Sequence, residues 1–117
     1  RIVGIHKNDP YVKASQKTAN YPAFADNVKF LGSRSGAELA KELLNADAYI
    51  HPSHIDNSPN SVCESMLMGL PIVATNVGGV PCILKDQEEG LLVQSGDSYA
   101  LAGAILEYFH HPEKALL

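Results

Sequence analysis

Nowhere does this chain gather its cations: nine lysines and arginines are dispersed among thirteen acidic residues, and the formal net charge is −4. A surface that neutralises a run of phosphates needs clustered cations, so nucleic acid is not an expected partner. Cysteine is scarce. Cys63 and Cys82 are the only two, and with neither a C-x-x-C nor a metal-ligand spacing they read as reduced thiols in a cytosolic setting. No apolar run approaches the roughly 18 residues of a membrane span, and no charged-then-apolar signal segment occurs. Also missing are a G-x-S-x-G elbow, a Walker loop and a G-x-G-x-x-G after the first apolar segment, which removes the usual anchors of hydrolases and dinucleotide dehydrogenases.

What is present is an ordinary globular composition, 45% apolar and 19% charged over 117 residues. That is one domain's length, enough to bury roughly 60–70% of the unfolded surface. Arg1 leads directly into apolar "RIVGI", and "PEKALL" stops within a helix-like pattern. From these ends we expect an excised piece of a larger protein.

Short apolar segments recur at 2–5, 28–32, 48–52, 71–75 and 90–93, each of strand length and most rich in β-branched or aromatic residues. Helical spacing lies between them. In 35–46, Leu39 and Leu43 fall four apart; in 97–111, an Asp97 cap precedes a stripe of Leu101, Ile105 and Phe109. The segment 11–26 is compatible with a helix and loop or with a loop alone, because Pro22 interrupts a weak period. Alternating strands and helices, with strands apolar on both faces, predict an α/β fold: a doubly wound parallel sheet of about five strands, Rossmann-like. In such sheets ligands sit at the carboxyl ends of the strands, which selects the loops 6–10, 32–35 and 52–60. The loop "NVGGVP" (76–81) joins them because Gly78 and Gly79 permit a close backbone approach to a ligand or a neighbouring element.

The richest of these loops is "DNSPNSVCES" (56–65). Pro59 pushes Ser58 toward an extended conformation, so a helix should start near Asn60 or Ser61. Its core face would carry Val62, Cys63, Met66 and Leu67, leaving Ser61, Glu64 and Ser65 on the other side. Ser61 and Glu64 match the S-x-x-E capping box, and local evidence favours that role for Glu64. A cap does not explain the long polar run from His54 to Ser61. Unpaired amides at 60–63 would suit an anion, while Asp56 and Glu64 would repel phosphate but accept from sugar hydroxyls. A nucleotide-sugar satisfies both demands.

The stretch "HPSHIDNSPNSVCESMLMGLPIVATNVGGVP" (51–81) resembles the donor-binding segment of family 4 glycosyltransferases, retaining enzymes of the GT-B fold. "VKFLG", "ELAKELLNADAYIHPS" and "EEGLLVQSGDSYALAGAILEYF" match the same family in order, so the resemblance extends from about Asn27 to the end and "RIVGI" fits an earlier strand. It implies the C-terminal, nucleotide-sugar-binding half of a two-domain enzyme over residues 1–117, truncated at its start and without the N-terminal acceptor domain. Two acidic residues separated by seven positions flank the donor in this family. The second, which contacts the ribose, matches Glu64; the first, which contacts the transferred sugar, matches Asp56. These are the candidate catalytic residues. Gly32 and Ser33 correspond to a loop beside the base, and Asn57, Ser58, Asn60 and Ser61, with Glu64, would hold the sugar and diphosphate. Asp56 replaces the usual glutamate and is one methylene shorter. Cys82 stands where many relatives carry glutamate, and both cysteines are expected to be buried small residues.

The family's basic pair for the diphosphate has no match here, so the fragment alone is expected to bind donor weakly and to be inactive. The resemblance implies no cofactor and no metal, a nucleotide-sugar as donor, and a glycan, lipid-linked or small-molecule acceptor reached through the missing domain. A cytoplasmic location follows, with the parent compatible with peripheral attachment to the inner face of the membrane. His51 and His54 form H-x-x-H, read as a solvent-facing or loop pair rather than metal ligands because no third ligand is evident. His110 and His111 suit a helix C-terminus, and Arg34 and Lys7 are read as solvated surface near the crevice. Two alternatives stay open: a sugar-nucleotide epimerase of the same fold, and a non-enzymatic doubly wound signalling module. The second is disfavoured because "GIHKNDP" and "IHPSHID" do not supply its acidic pair and acceptor aspartate.

Overall fold

The computed structural model describes residues 2–3 and 10–116. The chain forms two compact units, Arg1–Lys41 and Glu42–Leu117. In the first, β1 (Ile2–Val3) and β2 (Phe30–Gly32) pair in parallel, with α1 (Pro10–Ala19) between them in sequence. Pro10 occupies the first helical position, where its missing N–H costs nothing and its fixed φ is already helical. The ambiguous segment 11–26 is therefore a helix followed by turns. Pro22 sits in that turn region, where Phe24 N–H and Ala25 N–H both donate to the Tyr21 carbonyl.

Helix α2 (Gly36–Leu44) begins at a closed capping box. Ser35 N–H donates to Glu38 Oε2 at 2.7 Å, and Glu38 N–H reaches back to Ser35 Oγ at 3.4 Å. The Ser35 contacts hold the Glu38 carboxyl below the usual glutamate value. Leu39 is half-buried and Leu43 buried, as the four-residue spacing predicts.

The second unit carries β3 (Tyr49–His51), β4 (Ile72–Thr75) and β5 (Leu91–Val93), a parallel sheet in the order β3-β4-β5. Registers are Tyr49↔Ile72 and Val73↔Leu91. Between the strands in sequence lie α3 (Asn60–Leu67) and the single-turn α4 (Val80–Ile83); α5 (Ser98–His110) and a 3₁₀ turn (Pro112–Leu116) follow β5. All five expected strands form and all pair in parallel, but their ladders fall in a two-stranded and a three-stranded sheet. Only β4, central in its sheet, is buried at every position; β2 and β3 are half-buried. The core of this unit is Val62, Ile72, Ala74, Val80 and Leu84, with Tyr49, Met66 and Leu92 packed against it.

Helix α5 starts as expected, with Asp97 Oδ1 accepting from Ala100 N–H at 2.9 Å. Its stripe is shorter than its period suggests: Leu101 and Ile105 are half-buried, but Phe109 is exposed. The last turn is instead held by Tyr108, whose hydroxyl donates to the Ile72 carbonyl at 3.3 Å. Among the described residues, no helix is long and apolar enough to cross a membrane.

Candidate functional site

Because β3 and β4 run parallel, they deliver the loops 52–59 and 76–79 to the same edge of the sheet. The two loops are in direct contact. Gly79 N–H donates to the Asp56 carbonyl at 2.9 Å, and Gly78 adopts φ +52°, in the left-handed region. A Cβ on Gly78 would lie 1.8 Å from the Asp56 carbonyl oxygen, and one on Gly79 would lie 2.5 Å from that of Asn57. The glycine pair thus makes room for the acidic loop. Thr75 adds a second tie, its buried hydroxyl lying against the carbonyls of His51 and Ser53.

Helix α3 starts two residues before the position a Ser61–Glu64 capping box would require. Pro59 is the N-cap and makes no side-chain cap bond, so Ser61 already lies inside the first turn. The expected capping box does not form. The Ser61 hydroxyl faces Tyr49 instead, with 2.8 Å between the two oxygens. Glu64 is exposed, as expected. The core face differs from the reading of the period: Ser65 is fully buried and Leu67 is 88% exposed. Val62 and Ser65 are the buried residues of this face, with Met66 half-buried beside them, and Ser65 tolerates burial because its hydroxyl donates to the Ser61 carbonyl at 2.7 Å.

The amides at 60–63 are also less available than the sequence suggests. Asn60 N–H donates to the Ser58 carbonyl, and Val62 and Cys63 N–H both reach the Pro59 carbonyl. Ser61 N–H makes no backbone hydrogen bond among the described residues. Asn57, Ser58 and Asn60 are exposed on this loop, and Pro59 is buried beneath it.

His51, expected in a solvent-facing or loop pair, is the largest correction. It ends β3, and its Nε2 lies 2.7 Å from Asp56 Oδ2, with the two side chains 13% and 21% exposed. Its Nδ1 lies 3.0 Å from the Tyr49 hydroxyl. A continuous chain, Asp56–His51–Tyr49–Ser61, therefore runs from the acidic loop to the first turn of α3. Burial pushes the Tyr49 phenol above the usual tyrosine range, the Ser61 contact opposes this, and the charges of Asp56 and Glu64 push it further up. Both carboxylates thus act on one phenol. His54 is exposed and pairs with Ser95 Oγ at 2.9 Å. Ser95 belongs to the loop after β5, which borders an open depression lined by Gln94–Tyr99. Sequence reading missed that loop, though its place after a parallel strand was the available signal.

The raised phenol has a measurable consequence. An acid that holds its proton more tightly when folded contributes stability that is complete below its ordinary pKa and is lost as pH rises through the folded value. Tyr108 is also raised, chiefly by burial. Tyr49→Phe should therefore flatten part of the alkaline fall in unfolding free energy, as read by urea titrations on either side of the ordinary tyrosine pKa of about 10. An unchanged slope would exclude the buried phenol.

The remaining candidates are not all joined to this site. Gly32 ends β2 with φ +67°, and Ser33 and Arg34 are exposed, Arg34 Nη1 donating to the Ser33 carbonyl at 3.1 Å. These residues belong to the first unit. The loop 6–10 lies outside the described residues up to Asn8 and Asp9, Lys7 included. Both cysteines are free thiols, but Cys82 is exposed rather than buried. Among the described residues, no group of three or more His, Cys, Asp or Glu is placed to hold a metal. A cavity of about 120 Å³ lies at the opposite, amino ends of β4 and β5, lined by Leu70, Pro71, Gly90, Leu91 and Tyr108; it is below the ~300 Å³ of ordinary ligand pockets.

Comparison with known proteins converges on one family. The family model described as "Glycosyl transferases group 1" matches residues 1–111. The D-inositol 3-phosphate glycosyltransferase of Segniliparus rotundus is 38% identical over 78 residues, 67% of this chain and 17% of that protein. The phosphatidyl-myo-inositol mannosyltransferase of Mycobacterium leprae is 37% identical over 82 residues, 69% of this chain and 22% of that protein. The chain thus spans about a fifth of the length of these relatives. Among solved structures, Anabaena HepE in complex with UDP superposes on 97% of this chain and 32% of its own, with a TM-score of 0.87 and 28% identity. Its complex with UDP-glucose gives a TM-score of 0.88 at 27% identity. A helix-flanked parallel α/β architecture, loops gathered at the strands' carboxyl ends and a family match over nearly all its residues together mean that this chain belongs to the group 1 glycosyltransferases, of GT-B type.

Proposed function

We propose that residues 1–117 are the donor-binding part of a retaining family 4 glycosyltransferase, transferring a sugar from a nucleotide-sugar to an acceptor bound by a domain outside this chain. One observation carries this reading. The Asp56–Glu64 segment leads from a strand's carboxyl end into α3, in a fold that superposes on HepE solved with UDP and with UDP-glucose. On this reading Glu64, exposed on the first turns of α3, accepts from the ribose hydroxyls. Asp56 accepts from hydroxyls of the transferred sugar. Asn57, Ser58, Asn60 and Ser61 line the path between them, the Ser61 amide facing diphosphate oxygen.

The chemistry asked of the protein is positioning and charge stabilisation. The acceptor hydroxyl forms its bond to the anomeric carbon on the face the diphosphate leaves, and the departing diphosphate oxygen takes its proton. No metal or cofactor enters this scheme. The isolated chain, lacking cations matched to the diphosphate, binds donor weakly and does not turn it over. The test is a panel of nucleotide-sugars offered to a protein extended to the length of the relatives, with transfer and anomeric configuration followed by NMR. Transfer with retention is expected; inversion, or an absence of turnover across the panel, would overturn the reading.

A further inference from the structure

We propose that His51 is a positioning residue for the donor site: it fixes the Asp56 carboxylate in the orientation that addresses the transferred sugar. This rests on the donor-binding reading and names a component that reading does not contain. Asp56 is one methylene shorter than the glutamate usual at its position, so its placement cannot come from reach. It comes from two anchors. The main chain at Asp56 is pinned by Gly79 N–H, and the carboxylate by His51 Nε2 at 2.7 Å.

An ionised carboxylate only accepts hydrogen bonds, so the imidazole must carry its proton on Nε2 whichever overall charge it has. Nδ1 then meets the Tyr49 hydroxyl, which in turn meets Ser61 Oγ. The ring is thereby held from both sides, and its own backbone is fixed by the β3–β4 ladder at His51↔Ala74. The contact uses one of roughly four acceptor positions on the carboxylate, leaving the others for sugar hydroxyls. The same chain ends on the Ser61 hydroxyl, whereas the position of the Ser61 amide is set by the backbone of α3.

The test compares UDP with UDP-glucose as probes, using ligand-observed NMR on the 117-residue chain. A residue that orients only the sugar-facing group should affect the sugar increment and spare UDP. For His51→Leu and for Asp56→Asn, UDP-glucose affinity should fall about tenfold, as expected for losing a charge-assisted contact, while UDP affinity stays unchanged. His51→Gln, which keeps an N–H donor near the Nε2 position, should recover most of the loss. Tyr49→Phe should give a smaller loss of the same selectivity and guards against a misfolded His51→Leu. In the double variant His51→Leu/Asp56→Asn the effects should not add.

If Asp56→Asn loses the sugar increment and neither His51→Leu nor Tyr49→Phe does, the positioning role is wrong and the donor site stands. If the unsubstituted chain distinguishes neither probe from buffer, the donor reading fails and this proposal with it.

Discussion

Replacing Gly78 by alanine should unfold the acidic loop from the sheet edge and abolish any response to a nucleotide-sugar. The new Cβ would stand 1.8 Å from the Asp56 carbonyl oxygen, on backbone that cannot yield without breaking the adjacent Gly79–Asp56 bond. Left-handed φ adds strain for any residue with a Cβ. Together these should cost about 3 kcal/mol or more, a large part of a small domain's stability. Gly96→Ala provides the comparison, because Gly96 has φ +81° with nothing near its Cβ position. That variant should lose only about 1 kcal/mol. Urea unfolding of the two variants separates close approach from backbone strain; equal losses would mean that the packing of the two loops is not what holds Asp56 in place.

Replacing Glu64 by alanine should do the opposite, leaving the fold intact and removing donor affinity. Its carboxylate makes no cap bond at the start of α3, is exposed, and sits where alanine is the better helix former. Had the capping box closed, the same substitution would lower stability by about 1 kcal/mol. As an acceptor for ribose hydroxyls, a charged group is worth about 1.5–3 kcal/mol, which is roughly a 10- to 100-fold loss of affinity. The expected result is an unchanged or slightly raised midpoint of unfolding together with that loss for UDP and for UDP-glucose alike. A drop in stability with unchanged affinity would return Glu64 to a structural role.

The contrast between the two S-x-x-E segments shows what was legible in the sequence. Ser35 and Glu38 close a capping box; Ser61 and Glu64, with the same spacing, do not. The difference lies in Pro59, which becomes the N-cap and moves Ser61 inside the helix, a two-residue register change that a four-residue pattern does not encode. Strand positions and the loops they deliver were readable because alternation of apolar segments and turn residues is local. The burial of Ser65 was not, since the compensating Ser61 carbonyl is visible only once the helix register is known.

His51 was hidden for a related reason. An H-x-x-H spacing suggests metal or solvent, whereas its partner Asp56 is five residues on and meets it only after the loop curls back. The glycine pair signals a close approach, but which group approaches depends on β3 and β4 lying side by side. Long-range pairing of this kind, between residues 56 and 79, leaves no trace in the spacing of either segment.

Where a donor touches the chain is the most direct test of the proposed site. Titrating isotope-labelled chain with UDP-glucose and following backbone amides should show weak binding, with a dissociation constant of about 1 mM (~4 kcal/mol). The largest shifts should fall on residues 56–65 and on 76–79, the loop packed against them. Shifts confined instead to the cavity around Leu70, Gly90 and Tyr108, or an absence of shifts at Asp56 through Glu64 at saturating ligand, would contradict it.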